Sequence, residues 1–361
     1  MSNILVIGGG AIGLLTAREL IHAGADVTLV EMGKTGRESS WAGGGIISPL
    51  YPWRYADSVT ALSLWSQREY PRLCADLLEE TGVDPELVRS GLLILDDEEQ
   101  EQALSWSRTH EARVEVIDGE TLRETEPGLG PRPTSALWMP EVEQVRNPRF
   151  AKALRCSIEK RVEIREQEEV IELLVDAGRA VGARTRQGTL TADRIVVCTG
   201  AWTAKLLEKL DAKPEIEPVR GQMILFYAKP KQINQVVLYR DRYVIPRKDG
   251  RVLIGSTLEH EGFVKATTAE AKEELYRAAV EIFPLLKRTP IENHWAGLRP
   301  GSPSGIPYIG VFPNIEGLYF NAGHYRNGLV TGPASARLAA DLLLGREPVT
   351  DPEPYALNAR R

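Results

Sequence analysis

The sequence predicts a mixed α/β fold, α+β overall, in which a Rossmann-like domain built on a parallel sheet is joined to a mainly antiparallel one. Three observations carry this prediction. The first 31 residues read as strand, glycine turn, helix, strand and acid. Short apolar runs at 162–166, 169–175, 180–186 and 190–197 follow in the middle of the chain, the last leading into Thr199 and Gly200. A separate group of strand-like runs, 223–227, 236–239, 243–246 and 252–254, has the spacing of an antiparallel sheet. A length of 361 residues accommodates two domains.

Residues 3–7 are an apolar run of the kind that forms a buried parallel strand. Gly8, Gly9, Gly10, Ala11, Ile12 and Gly13 follow and fit GxGxxG through Gly8, Gly10 and Gly13. Gly8 permits a tight turn, Gly10 lets the backbone approach a pyrophosphate, and Gly13 lets helix and strand pack closely. The helix that follows (Ile12, Leu15, Leu20, Ala23) presents free N–H groups and partial positive charge at its start, and Gly24 is placed to end it. The second strand, 26–30, ends at Glu31, whose carboxylate suits ribose hydroxyls and repels a 2′-phosphate. FAD or NAD is therefore expected over NADP, the plainer reading being an ordinary α/β turn.

The next loop favours FAD. Ser39 and Ser40 are phosphate-binding candidates, and Gly43, Gly44 and Gly45 leave backbone bare enough to pass under a flavin ring. A glycine-rich loop of this kind suits a cofactor longer than one nucleotide; the alternative is a mobile Gly/Ser loop. Beyond it, helices are expected at 58–80 and 148–160, a solvated helix start at the acidic run 96–99, and loop or edge structure over the proline-rich 126–140. A helix is expected at 268–287, a loop around Arg299, a strand at 317–322, and a helix from Gly328 to about 344.

Composition narrows the function. The net charge of −6 offers no electrostatic case for nucleic acid or an anionic membrane. No apolar run is long enough to span a bilayer. Three scattered cysteines give neither a disulfide framework nor a metal cluster, which fits a reducing cytoplasm. There is no second GxGxxG after a strand, so electrons are expected to enter from an organic substrate rather than from a nicotinamide domain.

The set GGGAIG, Glu31, the Ser/Gly loop, VVCTGAW, AGLRP and GHYRNG, in that order, resembles the FAD-dependent D-amino acid oxidase superfamily, and within it the glycine oxidase branch of the thiamine pathway. The resemblance covers essentially the whole chain. It implies FAD contacts from Ala11 and Ile12, Glu31 and Met32, Ser39 and Ser40, Gly43 to Gly45, Val170, Gly200, and the segment His324, Tyr325, Arg326, Asn327, Gly328, Leu329 and Val330. It implies that Arg299, Arg326 and Tyr243 hold an amino acid substrate. Two departures stand out. Trp41 occupies a place where a small residue is expected, so the loop is expected to sit differently. No cysteine adjoins the glycine–arginine motif, so the FAD is expected to be non-covalent.

The chemistry is coherent with this. A zwitterion needs a carboxylate anchor, and arginine supplies two parallel N–H bonds. Arg299 also reads as a structural ion pair, Tyr243 as a core aromatic, Arg326 as a loop clamp on carbonyls, and His324 as a backbone-bonded histidine. The implied reaction is oxidative deamination of glycine or another small amine by hydride transfer from Cα to the flavin, the imine hydrolysing to an oxo acid and ammonia. The implied partners are that substrate and dioxygen, giving peroxide, or another electron acceptor, with self-association left open. An NAD-dependent dehydrogenase and a non-catalytic flavin-binding protein are the competing readings. A discontinuous organisation is expected: residues 1–80, 141–214 and 304–361 bind the cofactor, and 81–140 with 215–303 bind the substrate.

Overall fold

The computed structural model describes residues 3–95, 98–131 and 133–361. Its first strand, Asn3–Ile7, shows why an unbroken apolar run is required here. Ile4 and Val6 face a core shared with the helices Ala11–His22, Asp57–Thr81, Asn147–Ile158 and Gly332–Leu344. Leu5 and Ile7, pointing the other way, face a second core under a three-stranded antiparallel sheet, Val170–Asp176, Arg179–Thr185 and Thr189–Thr191. Both faces of the strand are therefore dry. Each such fully buried Ile or Leu contributes about 1.5–3 kcal/mol.

The strand lies inside a six-stranded sheet ordered Tyr308–Val311, Leu318–Ala322, Arg194–Val197, Asn3–Ile7, Asp26–Val30, Glu163–Arg165. All neighbours are parallel except the first pair. The second sheet has eight strands ordered Ile291–Gly301, Glu217–Tyr227, Arg251–Gly255, Arg242–Pro246, Val236–Tyr239, Leu92–Ile94, Ser135–Met139, Glu115–Asp118. Only Val236–Tyr239 and Leu92–Ile94 pair in parallel. Alternation sorts its faces: Ile224, Phe226, Val244 and Ile254 pack under the helix Ala269–Ile282, whereas Met223, Tyr243 and Leu253 point the other way, toward Tyr51.

Several expectations need correction. Arg299 lies on the regular strand Ile291–Gly301, not in a loop; Gly297 and Pro300 are tolerated because this strand is at the sheet's edge. Within 126–140, Ser135–Met139 is a strand second from the edge, the prolines lying outside it, Pro127, Pro131 and Pro133 before it and Pro140 directly after it. The run 190–197 splits between two sheets. The helix expected over 268–287 stops at Ile282 and gives way at Pro284 to a 3-10 turn. The C-terminal helix begins at Gly332, four residues after Gly328, because 324–331 is taken up by turns. Of the acidic run 96–99, residues 96 and 97 lie outside the described residues, and the helix there is Gln100–His110.

Candidate active site

The cavity opens at the carboxyl ends of the parallel strands, where ligands of such sheets gather. Gly8, at φ +108°, follows the first strand, and a Cβ on Gly13 would sit 1.8 Å from the Gly8 carbonyl oxygen. Only glycine lets the helix cross the turn so closely. Gly10 has no side chain to cap that helix, and the Ala11 N–H donates instead to Ser40 Oγ at 2.8 Å. The serine loop is thus tied to the glycine turn, and it contains a short helix, Ser39–Ala42. Glu31 is buried; its Oε2 accepts from the Gly9 N–H at 2.7 Å and its Oε1 from the Gly33 N–H at 2.8 Å. Burial pushes its carboxyl up while both amides pull it down. Each oxygen keeps a further lone pair for a ligand hydroxyl.

The cavity holds about 1230 Å³ of empty space, its mouth included. Gly10, Ala11, Ile12, Ser39 and Ser40 line it from the two N-terminal loops, with Gly43, Gly44 and Gly45 beyond them. Gly200 and the residues His324 to Leu329 complete that wall. Gly8, Gly13, Glu31, Met32, Val170 and Val330 lie outside the lining. Val330 is instead packed in the helical core. Trp41 does not line the cavity either: its ring meets Trp295 edge-on with centroids 5.5 Å apart, and Trp295 Nε1 donates to the Ala42 carbonyl. The bulky residue therefore fastens the short helix to the eight-stranded sheet.

The opposite wall comes from the eight-stranded sheet. Arg299, Tyr243, Gly221, Met223 and Ser256 line it. Arg299 Nη2 donates to Ser256 Oγ at 2.5 Å and Nη1 to the Thr257 carbonyl at 3.3 Å. Burial holds its guanidinium below the usual arginine range; Tyr243 opposes that shift and the Arg326 charge adds to it. No carboxylate among the described residues pairs with Arg299 or Arg326. Tyr243 is buried with its hydroxyl 3.8 Å from Met223 Sδ, and its ring packs against Gly44 and Gly255, where a Cβ would come within 3.2 Å and 2.8 Å of it. Two cations with no carboxylate partner among the described residues, beside a phenol and an apolar thioether, present donors of the kind that a small carboxylate can accept from.

Four buried atoms of the lining lack a hydrogen-bond partner among the described residues: Asn147 Oδ1, Asn321 Oδ1, His324 Nε2 and Asn327 Nδ2. An unmet buried group costs about 1–3 kcal/mol. The backbone N–H groups of Gly328 and Leu329 likewise have no acceptor among those residues. Donors and acceptors distributed along a long cavity, with a glycine turn and helix N-terminus at one side, fit an extended dinucleotide. Burial pushes the His324 imidazole down to about 3, so it is neutral. Asn147 and Asn321 were not singled out from the sequence. Asn321 carries a readable signal, a fully buried amide inside the apolar strand Leu318–Ala322. Asn147, ahead of Pro148, reads as an ordinary helix start.

The sequence profile of the FAD dependent oxidoreductase family matches residues 3–342. A glycine oxidase from Pseudomonas aeruginosa is 52% identical over 356 residues, covering 98% of each chain. One from Pseudomonas putida is 48% identical over 360 residues, covering 99% of each. The crystal structure of glycine oxidase from Geobacillus kaustophilus, 28% identical, matches with a TM-score of 0.94 over 100% of both chains. No described helix is long and apolar enough to cross a membrane. The cofactor is FAD, the competing NAD reading falls away, and the chain belongs to the FAD dependent oxidoreductase family as an oxidoreductase of amines or amino acids.

Proposed function

We propose that this protein oxidises glycine or a comparably small amino acid with dioxygen: amino acid, O₂ and water become oxo acid, ammonia and H₂O₂. The observation that carries the reading is the pair Arg299 and Arg326 on the cavity wall, with no carboxylate among the described residues to neutralise them. Full-length similarity to glycine oxidases at 52% and 48% identity supports the same substrate class. When bound, FAD supplies the two-electron acceptor for the Cα hydride.

The chain's own residues do the rest. Arg299 and Arg326 take the substrate carboxylate, and the Tyr243 hydroxyl adds a third donor. Holding the substrate in one orientation removes several kcal/mol of entropic barrier. Neutral His324 and the free N–H groups of Gly328 and Leu329 hold polar atoms of the cofactor without adding charge. Gly10 to Ile12 with Ser39 and Ser40 take its diphosphate, Glu31 and Met32 its ribose, Val170 its adenine through the backbone, and Gly43 to Gly45 with Gly200 and the segment His324 to Val330 its ring and linker. Attachment is non-covalent. Among the three cysteines only Cys198 lines the cavity, and burial pushes its thiol up to about 12. The division of labour follows the sheets: 1–80, 141–214 and 304–361 serve the cofactor, and 81–140 with 215–303 serve the substrate.

The test is an anaerobic titration of the purified yellow protein. Glycine bleaches the visible flavin band, and readmitted air restores it with one equivalent of peroxide. If neither glycine nor any other small amine bleaches the band, the proposal fails. Restoration only by a quinone would replace the oxidase with a dehydrogenase.

A further inference from the structure

Arg299 does not lie along its own strand. Gly221 is on the neighbouring strand, and a Cβ there would be 2.2 Å from both terminal nitrogens of Arg299. The guanidinium therefore crosses that strand over the bare Gly221 backbone and reaches Ser256 and Thr257 on its far side. Those two oxygens use one N–H of each terminal nitrogen, and the remaining donors of the fork are left to Tyr243 and the cavity. The aim of the anchor thus depends on what holds residues 256 and 257.

The answer lies on the other face of the same strand. Arg220 and Gln222 alternate with Gly221, so their side chains point away from the cavity, and both are buried. Both donate to Glu259: Arg220 through Nε at 2.8 Å and through Nη2, Gln222 through Nε2 at 2.9 Å. The Thr257 hydroxyl donates to Glu259 Oε1 and accepts from the Gln222 N–H at 2.8 Å. The Gln222 carboxamide oxygen accepts from the Thr268 N–H at 2.9 Å, closing the cluster onto the following helix. One carboxylate therefore gathers two side chains of the sheet and the hydroxyl of the residue whose carbonyl receives Arg299. Being fully engaged behind the sheet, Glu259 offers no competing charge to the anchor.

We propose that Glu259 and the Thr257 hydroxyl are positioning residues for substrate-carboxylate binding: they set the seat in which Arg299 lies. This rests on the reading of Arg299 as the carboxylate anchor. The test uses FAD-loaded enzyme and glycolate, a carboxylate without an amine, titrated by perturbation of the flavin spectrum, together with KM and kcat for glycine. Thr257→Val removes the hydroxyl without changing the side chain's shape, Thr257→Ser keeps it, and Glu259→Gln removes the charge. Thr257→Val and Glu259→Gln should each weaken glycolate and raise KM about tenfold, with kcat and FAD affinity within twofold of wild type. Thr257→Ser should restore both. Should Glu259→Gln fail to fold, the two threonine variants decide. Wild-type glycolate affinity in Thr257→Val, while Arg299→Lys loses it, would overturn the positioning role and leave the anchor standing. Unchanged affinity in Arg299→Lys would overturn the anchor itself. A parallel loss of FAD affinity in Thr257→Val would reduce the cluster to a structural one.

Discussion

Gly221→Ala separates binding from folding. Its backbone is not left-handed, so alanine fits the strand without torsional strain, and replacing glycine there stabilises the fold by roughly 0.5 kcal/mol if anything. The added methyl, however, would lie 2.2 Å from Nη1 and Nη2 of Arg299. An ordinary contact needs about 3.5 Å, so the guanidinium must retreat by more than about 1 Å. That breaks the bonds to Ser256 and Thr257 and takes the fork out of line with its ligand. A displacement of that size costs on the order of 100-fold, about 2.7 kcal/mol, in substrate binding. The expected result is a KM for glycine raised by about two orders of magnitude, with FAD content unchanged and a melting temperature lowered by no more than a few degrees, the loss of two bonds of a buried guanidinium. The assay is peroxide-coupled kinetics, run beside a thermal melt and a flavin-release measurement. A KM within twofold of wild type would show that Arg299 does not touch substrate from this seat. A lost flavin would show that the strand, not the arginine, was disturbed.

Two further perturbations read other parts of the site. Arg247 donates to the Gly44 carbonyl at 2.7 Å, the Val145 carbonyl at 3.0 Å and Gln144 Oε1 at 2.7 Å, clamping the glycine loop to the end of the strand Arg242–Pro246. Arg247→Met should cost about 3 kcal/mol and weaken FAD binding, measured by urea midpoint and flavin fluorescence; an unchanged value of both would remove the clamp. His324, buried and held near 3, takes up no proton in the folded state between pH 6.5 and 3, whereas the unfolded chain does. Its contribution is therefore complete above the unfolded pKa and is lost as pH falls, by about 1.4 kcal/mol per unit. Urea midpoints at pH 7, 6 and 5 should fall less steeply in His324→Gln, and equal slopes would refute the assignment.

What was legible in the sequence was local. The turn from Gly8 to Gly13, its helix and its closing acid lie within one stretch of chain, so spacing alone places them. The geometry around Arg299 was not legible, because Gly221, Ser256 and Thr257 reach it only through sheet register and a side chain that crosses a strand. Pro300 and Gly297 disguised an edge strand as a loop for the same reason: their cost depends on which neighbour pairs with them. Trp41 looked like a departure within a cofactor loop, yet its bulk is spent on Trp295, a contact no spacing rule anticipates.

The four polar atoms of the cavity that lack a partner among the described residues tie this protein's stability to its flavin. A newly made chain that has not met its flavin carries those unmet groups as stored instability, and ligand capture relieves it by mass action. Scarcity of the cofactor would then be felt first as proteolysis of empty chains, before any slowing of turnover in the molecules that remain.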